Sequence, residues 1–439
     1  MKLGIENRTV TIPTPAPGGC PLEALRGGCL SLLGEGEMPV RLVVSRSDVS
    51  GWVCELAVLW SRGELCPVLD PELLFRFRLR EYADAGSFNV ALLIPTGVGA
   101  QIGGHAGDGG AVARLLAGTC DTLVTHPNVV NASDINELPD NGLYVEGSVL
   151  TRVFMGTAAL RPVRSNRVLL VLDKHPDAEV AALSINAAAA ARATMGVDIS
   201  EVVELAPPVC MKAGFSESGA AVGKVEQLER LHELIESRRG QFDALALASV
   251  VDLPWSVHET YLAAAGEMVN PWGGVEATLT HAVSMLHDLP TAHAPMMENR
   301  EILMEFTGVV DPRMAAEEIS SAFLHCVIKG LHRAPRIVTD PAQFHCPGIV
   351  AAEHLDCIVV PDGCLGLPVL AAAAQGIPVI AVRENKTCMR NDLSALAFRG
   401  GLHVVETYLE AAGLLTAMRV GVSRESVTRP LELCRVTTF

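Results

Sequence analysis

Residues 89–117 limit what this chain can fold into more than any other stretch: NVALLIPTGVGAQIGGHAGDGGAVARLLA. An apolar run from Val90 to Ile94 stops at Pro95 and breaks into seven glycines between Gly97 and Gly110. A helical pattern, Ala111 to Ala117, follows directly. Strand, glycine loop and helix in that order form the arrangement in which bare backbone N–H groups and a helix N-terminus converge on an anion. A second apolar run, Thr122–Thr125, ends in His126, Pro127 and Asn128, placing a titratable ring and an amide beside the loop. In open α/β sheets, ligands sit where strands end and loops begin.

The rhythm continues toward the C-terminus. Apolar, β-rich runs recur at Arg167–Leu172, Glu201–Leu205, Leu245–Val251, Arg336–Thr339, Cys357–Val360 and Pro378–Val382. Helical stretches at Ala178–Met195, Lys224–Arg239, Gly274–Leu286, Met314–Leu331 and Leu367–Gln375 alternate with them. Such alternation predicts an α/β fold of mostly parallel sheet with helices on both faces. A composition shift at 206–223 marks where residues 87–439 would divide into two lobes. Residues 1–86 read differently, with alternating runs such as VRLVVSRSD and GWVCELAVLW. They predict a small α+β module without a catalytic cluster, suited to docking or oligomerisation.

Composition removes several classes of function. A formal charge of −16 repels phosphate backbones, and 4% aromatics leave few platforms for stacking bases, so nucleic acid is not an expected partner. No run of about 18 apolar residues occurs, so no membrane span is expected. The first residues lack a basic segment followed by an apolar core, and the twelve cysteines show no CxxC pair. Together these predict a cytoplasmic protein with reduced thiols, a homodimer by default.

The chemistry-bearing residues are weighed against plainer roles. Gly97 and Gly99 fit the first two positions of a dinucleotide fingerprint, but Ile102 stands at the third, which weakens a nicotinamide reading. What remains is a nest of N–H groups suited to carboxylate or phosphate, with His105 and Asp108 inside it; the alternative is a turn for tight packing. His126 is a candidate general acid or base because its ring titrates near neutrality, while Asn128 and Asn131 could equally cap a turn. Glu146 adds a carboxylate at the edge of another apolar segment. Lys174 ends the run Arg167–Leu172 and fits a surface lysine best. Glu276 opens a predicted helix, where it would complement the dipole. Asp362, Gly363 and Cys364 form a second glycine loop, and Glu384 and Asn385 end the next strand. Cys364 near a helix N-terminus would be activated, although a buried, inert thiol is the simpler reading. Seven histidines (281, 287, 293, 325, 332, 345 and 354) crowd one region without HxH or HxxxH spacing, leaving zinc open.

At these residues the chain resembles a known family. IPTGVGAQIGGHAGDGGAVARLLA, DTLVTHPNVVNASDINELP, LYVEGSVLTR, GEMVNPWGGVEA, LHRAPRIVTD and PDGCLGLP, in this order, are similar to the bacterial and plastid proteins grouped as domain of unknown function number 3326. The resemblance runs from about Asn89 to the C-terminus and implies no established activity. It marks Gly99, Gly103, Gly104, Asp108, His126, Asn128, Asn131, Glu146, Glu384 and Asn385 as motif positions.

The expectation is an enzyme acting on a small anionic metabolite, a hydrolase or lyase. His126 with Asp108 or Glu146 would do acid–base chemistry. Gly99, Gly103, Gly104, His105, Asn128, Asn131, Asp362, Gly363, Cys364, Glu384 and Asn385 would bind substrate. No cofactor is required. An NAD(P)-dependent oxidoreductase and a non-catalytic metabolite sensor are the alternatives.

Overall fold

Two β-sheets carry the fold, and the candidate site lies between elements of both. A computed structural model describes residues 1–16, 18–63, 67–264, 266–299, 308–320 and 322–438. In chain order the strands of the two sheets begin with β1 (Lys2–Ile12), β2 (Glu37–Asp48), β3 (Gly51–Arg62), β4 (Asn89–Leu92), β5 (Thr122–Thr125) and β6 (Gly142–Tyr144). Next come β7 (Arg167–Asp173), β8 (Asp198–Leu205), β9 (Cys210–Phe215), β10 (Ala221–Glu226), β11 (Ala244–Asp252) and β12 (Thr291–Met296). The last are β13 (Cys357–Pro361), β14 (Leu365–Gly366), β15 (Val379–Val382) and β16 (Leu402–Val405). The helices include α1 (Gly110–Ala117), α2 (Gly147–Phe154), α3 (Ala178–Met195), α4 (Glu229–Ser237), α5 (Trp255–Ala263), α6 (Gly273–His287), α7 (Phe323–His332), α8 (Leu367–Gln375) and α9 (Tyr408–Arg419).

The smaller sheet has six strands in the order β16-β15-β13-β4-β5-β6, all parallel. Every residue of β4, β13 and β15 is buried, which is why each reads as an unbroken apolar run. The larger sheet has ten strands, in the order β8-β7-β11-β9-β10-β1-β3-β2-β14 with β12 on the other side of β11. Its β7, β8, β11 and β12 pair in parallel, while β9/β10, β10/β1, β1/β3 and β3/β2 are antiparallel. β9 joins the end of β11 in parallel, Met211 and Lys212 against Val251 and Asp252, and the change to antiparallel pairing falls between β9 and β10. The α/β class expected from the sequence is observed. The long strands of the N-terminal module, β1 to β3, are hydrogen-bonded into this same sheet.

Two expected elements differ. The helix expected over Lys224–Arg239 is strand to Glu226 and helix only from Glu229 to Ser237. In β10 burial alternates strictly, with Ala221, Gly223 and Val225 inside, a period of two that a helix cannot satisfy. The helix expected over Met314–Leu331 is observed as a short helix, Ala315–Ile319, and as α7.

α6 packs on β10 and β12 of the large sheet, and α2 lies against both α6 and α8. The first contact needs a bare backbone: a Cβ at Gly274 would stand 2.1 Å from the Ala221 carbonyl oxygen. Gly274→Ala is therefore expected to destabilise the chain by roughly 1–3 kcal/mol. Gly413→Ala, in a helix position with open space, is expected to be neutral or stabilising by up to about 1 kcal/mol. Urea unfolding of the two variants beside wild type checks both signs.

Candidate active site

A cavity of about 460 Å³ opens between the two sheets. β2 lends it Arg41; the loop after β4 lends Thr96, Gly104, His105 and Ala106; the end of β5 lends His126, Asn128 and Asn131. The N-terminus of α2 contributes Glu146, α6 contributes Glu276, Thr280 and His281, and β12 contributes His293. Trp255, His258, Tyr261 and Trp272 close an aromatic side, their rings in edge contacts at centroid distances of 4.7–5.3 Å.

Glu146 has two tasks. It is the N-cap of α2, its Oε2 accepting from the backbone N–H groups of Ser148 (2.9 Å) and Val149 (3.3 Å) and from the Ser148 hydroxyl. Its Oε1 lies 2.7 Å from His281 Nδ1, an ion-pair contact rather than a straight hydrogen bond, and accepts from the Thr280 hydroxyl at 3.3 Å. Burial alone would push this carboxyl up, but the His281 ring and the Ser148 hydrogen bonds outweigh it and hold the group below its ordinary value. His126 behaves oppositely. Its Nε2 accepts the backbone N–H of Ile94 at 3.2 Å, which leaves the ring proton on Nδ1. Burial, reinforced by His281, lowers its pKa to about 4, so His126 is a neutral imidazole at pH 7.

A second histidine–carboxylate pair joins α6 to β12. His293 Nδ1 lies 2.9 Å from Glu276 Oε2, while its Nε2 is buried without a hydrogen-bond partner. Strand register puts His293 opposite Leu247, and Leu247 opposite Val171, so Asp173 at the end of β7 shares this sheet face. Burial raises Asp173 to about 6.

The third group is a chain of hydrogen bonds. His105 Nδ1 is 2.7 Å from the Tyr261 hydroxyl, which is 3.0 Å from Glu317 Oε2. His105 Nε2 faces the Gly266 carbonyl at 3.3 Å and so carries a hydrogen. Glu317 Oε1 accepts from the Ala106 N–H (2.7 Å) and the Asn270 amide (3.2 Å). One further proton fits in this chain, on His105 Nδ1 or on Glu317 Oε2, with the Tyr261 hydroxyl turning accordingly. Burial lowers His105 and raises Glu317, and both shifts place that proton on Glu317.

The glycine loop does not present a free nest. Five of its amides are satisfied from within the protein: Gln101 by the Lys386 carbonyl, Ile102 by Asn385 Oδ1, Gly103 and His105 by Asp108 Oδ1, and Ala106 by Glu317. Gly103 adopts φ +80°, and a Cβ at Gly104 would stand 2.0 Å from the Ala100 carbonyl oxygen, so these glycines serve a tight turn. Of the expected substrate-binding residues, Gly104, His105, Asn128, Asn131 and Cys364 line the cavity; Gly99, Gly103, Asp362, Gly363, Glu384 and Asn385 do not. Asn385 is buried and pins the loop through Ile102, while Glu384 accepts the backbone N–H of Tyr408 at 2.8 Å. Asn128 bonds the carbonyls of Ile94 and Gly103, and Asn131 bonds the Tyr144 hydroxyl. Burial pushes the Cys364 thiol up to about 12, so it is no activated nucleophile. Asp108 lies behind the loop, outside the cavity wall, and burial raises it to about 7.

Sequence reasoning passed over Arg41, Tyr261 and Glu317. Arg41 had one readable signal, an arginine inside the apolar run MPVRLVV, where its neighbours Val40 and Leu42 are buried. The crowded histidines do not converge. His281 and His293 face the cavity, His325 bonds the Asp134 carbonyl, His345 stacks on Tyr82, and His354 accepts from Ala351.

The chain belongs to the family described as Protein of unknown function (DUF3326), whose model matches residues 89–428. It is 33% identical over 340 residues to an uncharacterised lipoprotein of Synechococcus sp., a match covering 76% of this chain and 92% of that relative. No solved structure matches. The cytoplasmic placement expected from the N-terminal residues is corrected by this relative, whose lipoprotein name points to a membrane-anchored or envelope location. Among the described residues, no helix is long and apolar enough to cross a membrane.

The raised Asp108 carries a pH signature. Its value of about 7 in the folded chain exceeds the ordinary carboxylate range, so folding favours the protonated form. Its contribution to stability is complete below roughly pH 4 and is lost as the pH rises through the folded value. Urea unfolding from pH 4 to 8 should show a wild-type decline that is shallower in Asp108→Asn. Parallel curves would refute the assignment.

Proposed function

We propose that the protein is a hydrolase or lyase acting on a small metabolite that bears a carboxylate or phosphate. One observation carries this reading: Arg41 is buried in the wall of the same cavity that holds the carboxylate-paired His281. The guanidinium donates Nη2–H to the Thr96 carbonyl at 2.7 Å and forms no ion pair among the described residues. Burial lowers its pKa to about 10, which still leaves it charged at neutral pH. An unpaired buried charge is costly, and an anionic group entering the cavity relieves that cost through charge-assisted, bidentate hydrogen bonds. Arg41 therefore takes the anion-binding role first expected of the glycine loop.

The acid–base roles follow from the environments. His281, held by ionised Glu146, is the general base, since a carboxylate on one ring nitrogen orients the ring. His126, neutral with its proton on Nδ1, is a hydrogen-bond donor for charge developing on a substrate oxygen. Glu317, whose pKa burial raises, is linked through Tyr261 to His105 and is the candidate proton source. Neighbouring titratable groups driven apart in this way mark a division between acid and base.

The test is a panel of carboxylates and phosphomonoesters, read by mass spectrometry for product and by calorimetry for binding. On any substrate found, His281→Ala should lower kcat by about 10²–10⁴. Arg41→Met should act mainly on KM. Full turnover by His281→Ala would remove the assigned base. Binding without turnover across the panel would leave the sensor reading in its place.

A further inference from the structure

A second site lies outside the cavity, where α4 meets the C-terminal end of α6. His232 and Glu236 stand one turn apart on α4, and His287 is the last residue of α6. His232 Nδ1 and His287 Nε2 face each other at 3.4 Å. Two imidazoles bound to one tetrahedral zinc at about 2.0–2.1 Å would hold their nitrogens about 3.4 Å apart. His287 Nδ1 is 3.0 Å from Glu236 Oε1, the carboxylate–histidine contact that orients a metal-bound ring. One donor atom from each of the three residues falls within 4.8 Å of the others.

We propose that His232, His287 and Glu236 bind a divalent ion of the zinc class, with the two ring nitrogens as primary ligands and water completing the shell. The site is accessible from one side: Glu236 is exposed, His232 half-buried and His287 buried. A divalent ion binds the neutral imidazole and displaces the single proton that can sit between the two facing ring nitrogens. Glu236 is shared with Arg239, which reaches Oε1 at 2.7 Å and Oε2 at 3.2 Å, so the carboxylate serves the ion and the guanidinium together. The ion would clamp α4 to the end of the helix that carries Glu276 and His281. It is structural, and this inference does not depend on the proposed activity.

The experiment is titration of the chelator-dialysed full-length chain with Co²⁺, followed by visible absorption, and with Zn²⁺, followed by calorimetry. The expected result is one equivalent bound with the intense bands of tetrahedral Co²⁺. Glu236→Gln should weaken binding by about 10- to 100-fold. His232→Ala should abolish it, while His281→Ala should retain it. Because Glu236 is exposed, Glu236→Gln keeps the test valid should a histidine variant fail to fold. Absence of saturable uptake overturns the proposal. So does uptake unchanged by His232→Ala, loss caused by His281→Ala instead, or a spectrum dominated by thiolate-to-cobalt charge transfer.

Discussion

The Glu146 carboxylate ties the candidate site together. One oxygen closes the N-terminus of α2, which follows the last strand of the small sheet, and the other meets His281 on α6, which packs on the large sheet. A buried carboxylate is tolerated only when its charge and lone pairs are met, and here two backbone amides, two hydroxyls and a histidine meet them. The same contacts that satisfy the charge set the distance between the two sheets at the cavity.

Around that carboxylate the cavity handles charge by pairing and by proton placement. Glu276 is paired with His293, and burial raises Glu317 within its hydrogen-bond chain. Arg41 is then the remaining lysine or arginine among the described lining residues, and its charge is not cancelled by the nearby acids. An acidic chain can in this way keep one local attraction for an anion, because at short range a buried charge outweighs the screened net charge of the surface.

Much of the small sheet was legible in the sequence because fully buried parallel strands leave an unbroken apolar signature, as in Cys357–Pro361. The large sheet was harder to read. Ala221–Glu226 joins a charged stretch that looks helical, and only pairing with Cys210–Phe215 and with β1 makes a strand of it. Of the site, His126 and Glu146 were found as polar residues at the ends of apolar runs. Asp108 was found as well, but it faces the loop interior, a direction set by which amides it satisfies.

By itself the sequence determined the alternation of strand and helix, the glycine turn after β4, and the presence of titratable groups at several strand ends, because these follow from local periodicity and local sterics. Tertiary structure alone decided the use of each group. In the glycine loop, residues distant in the chain, Asn385 and Glu317, take the amides of Ile102 and Ala106. Arg41, in a segment that reads as a separate module, lines the cavity because β1–β3 are hydrogen-bonded into the large sheet and bring a charge into a wall built by the rest of the chain. Protonation follows burial, and burial is a property of packing that no local pattern encodes.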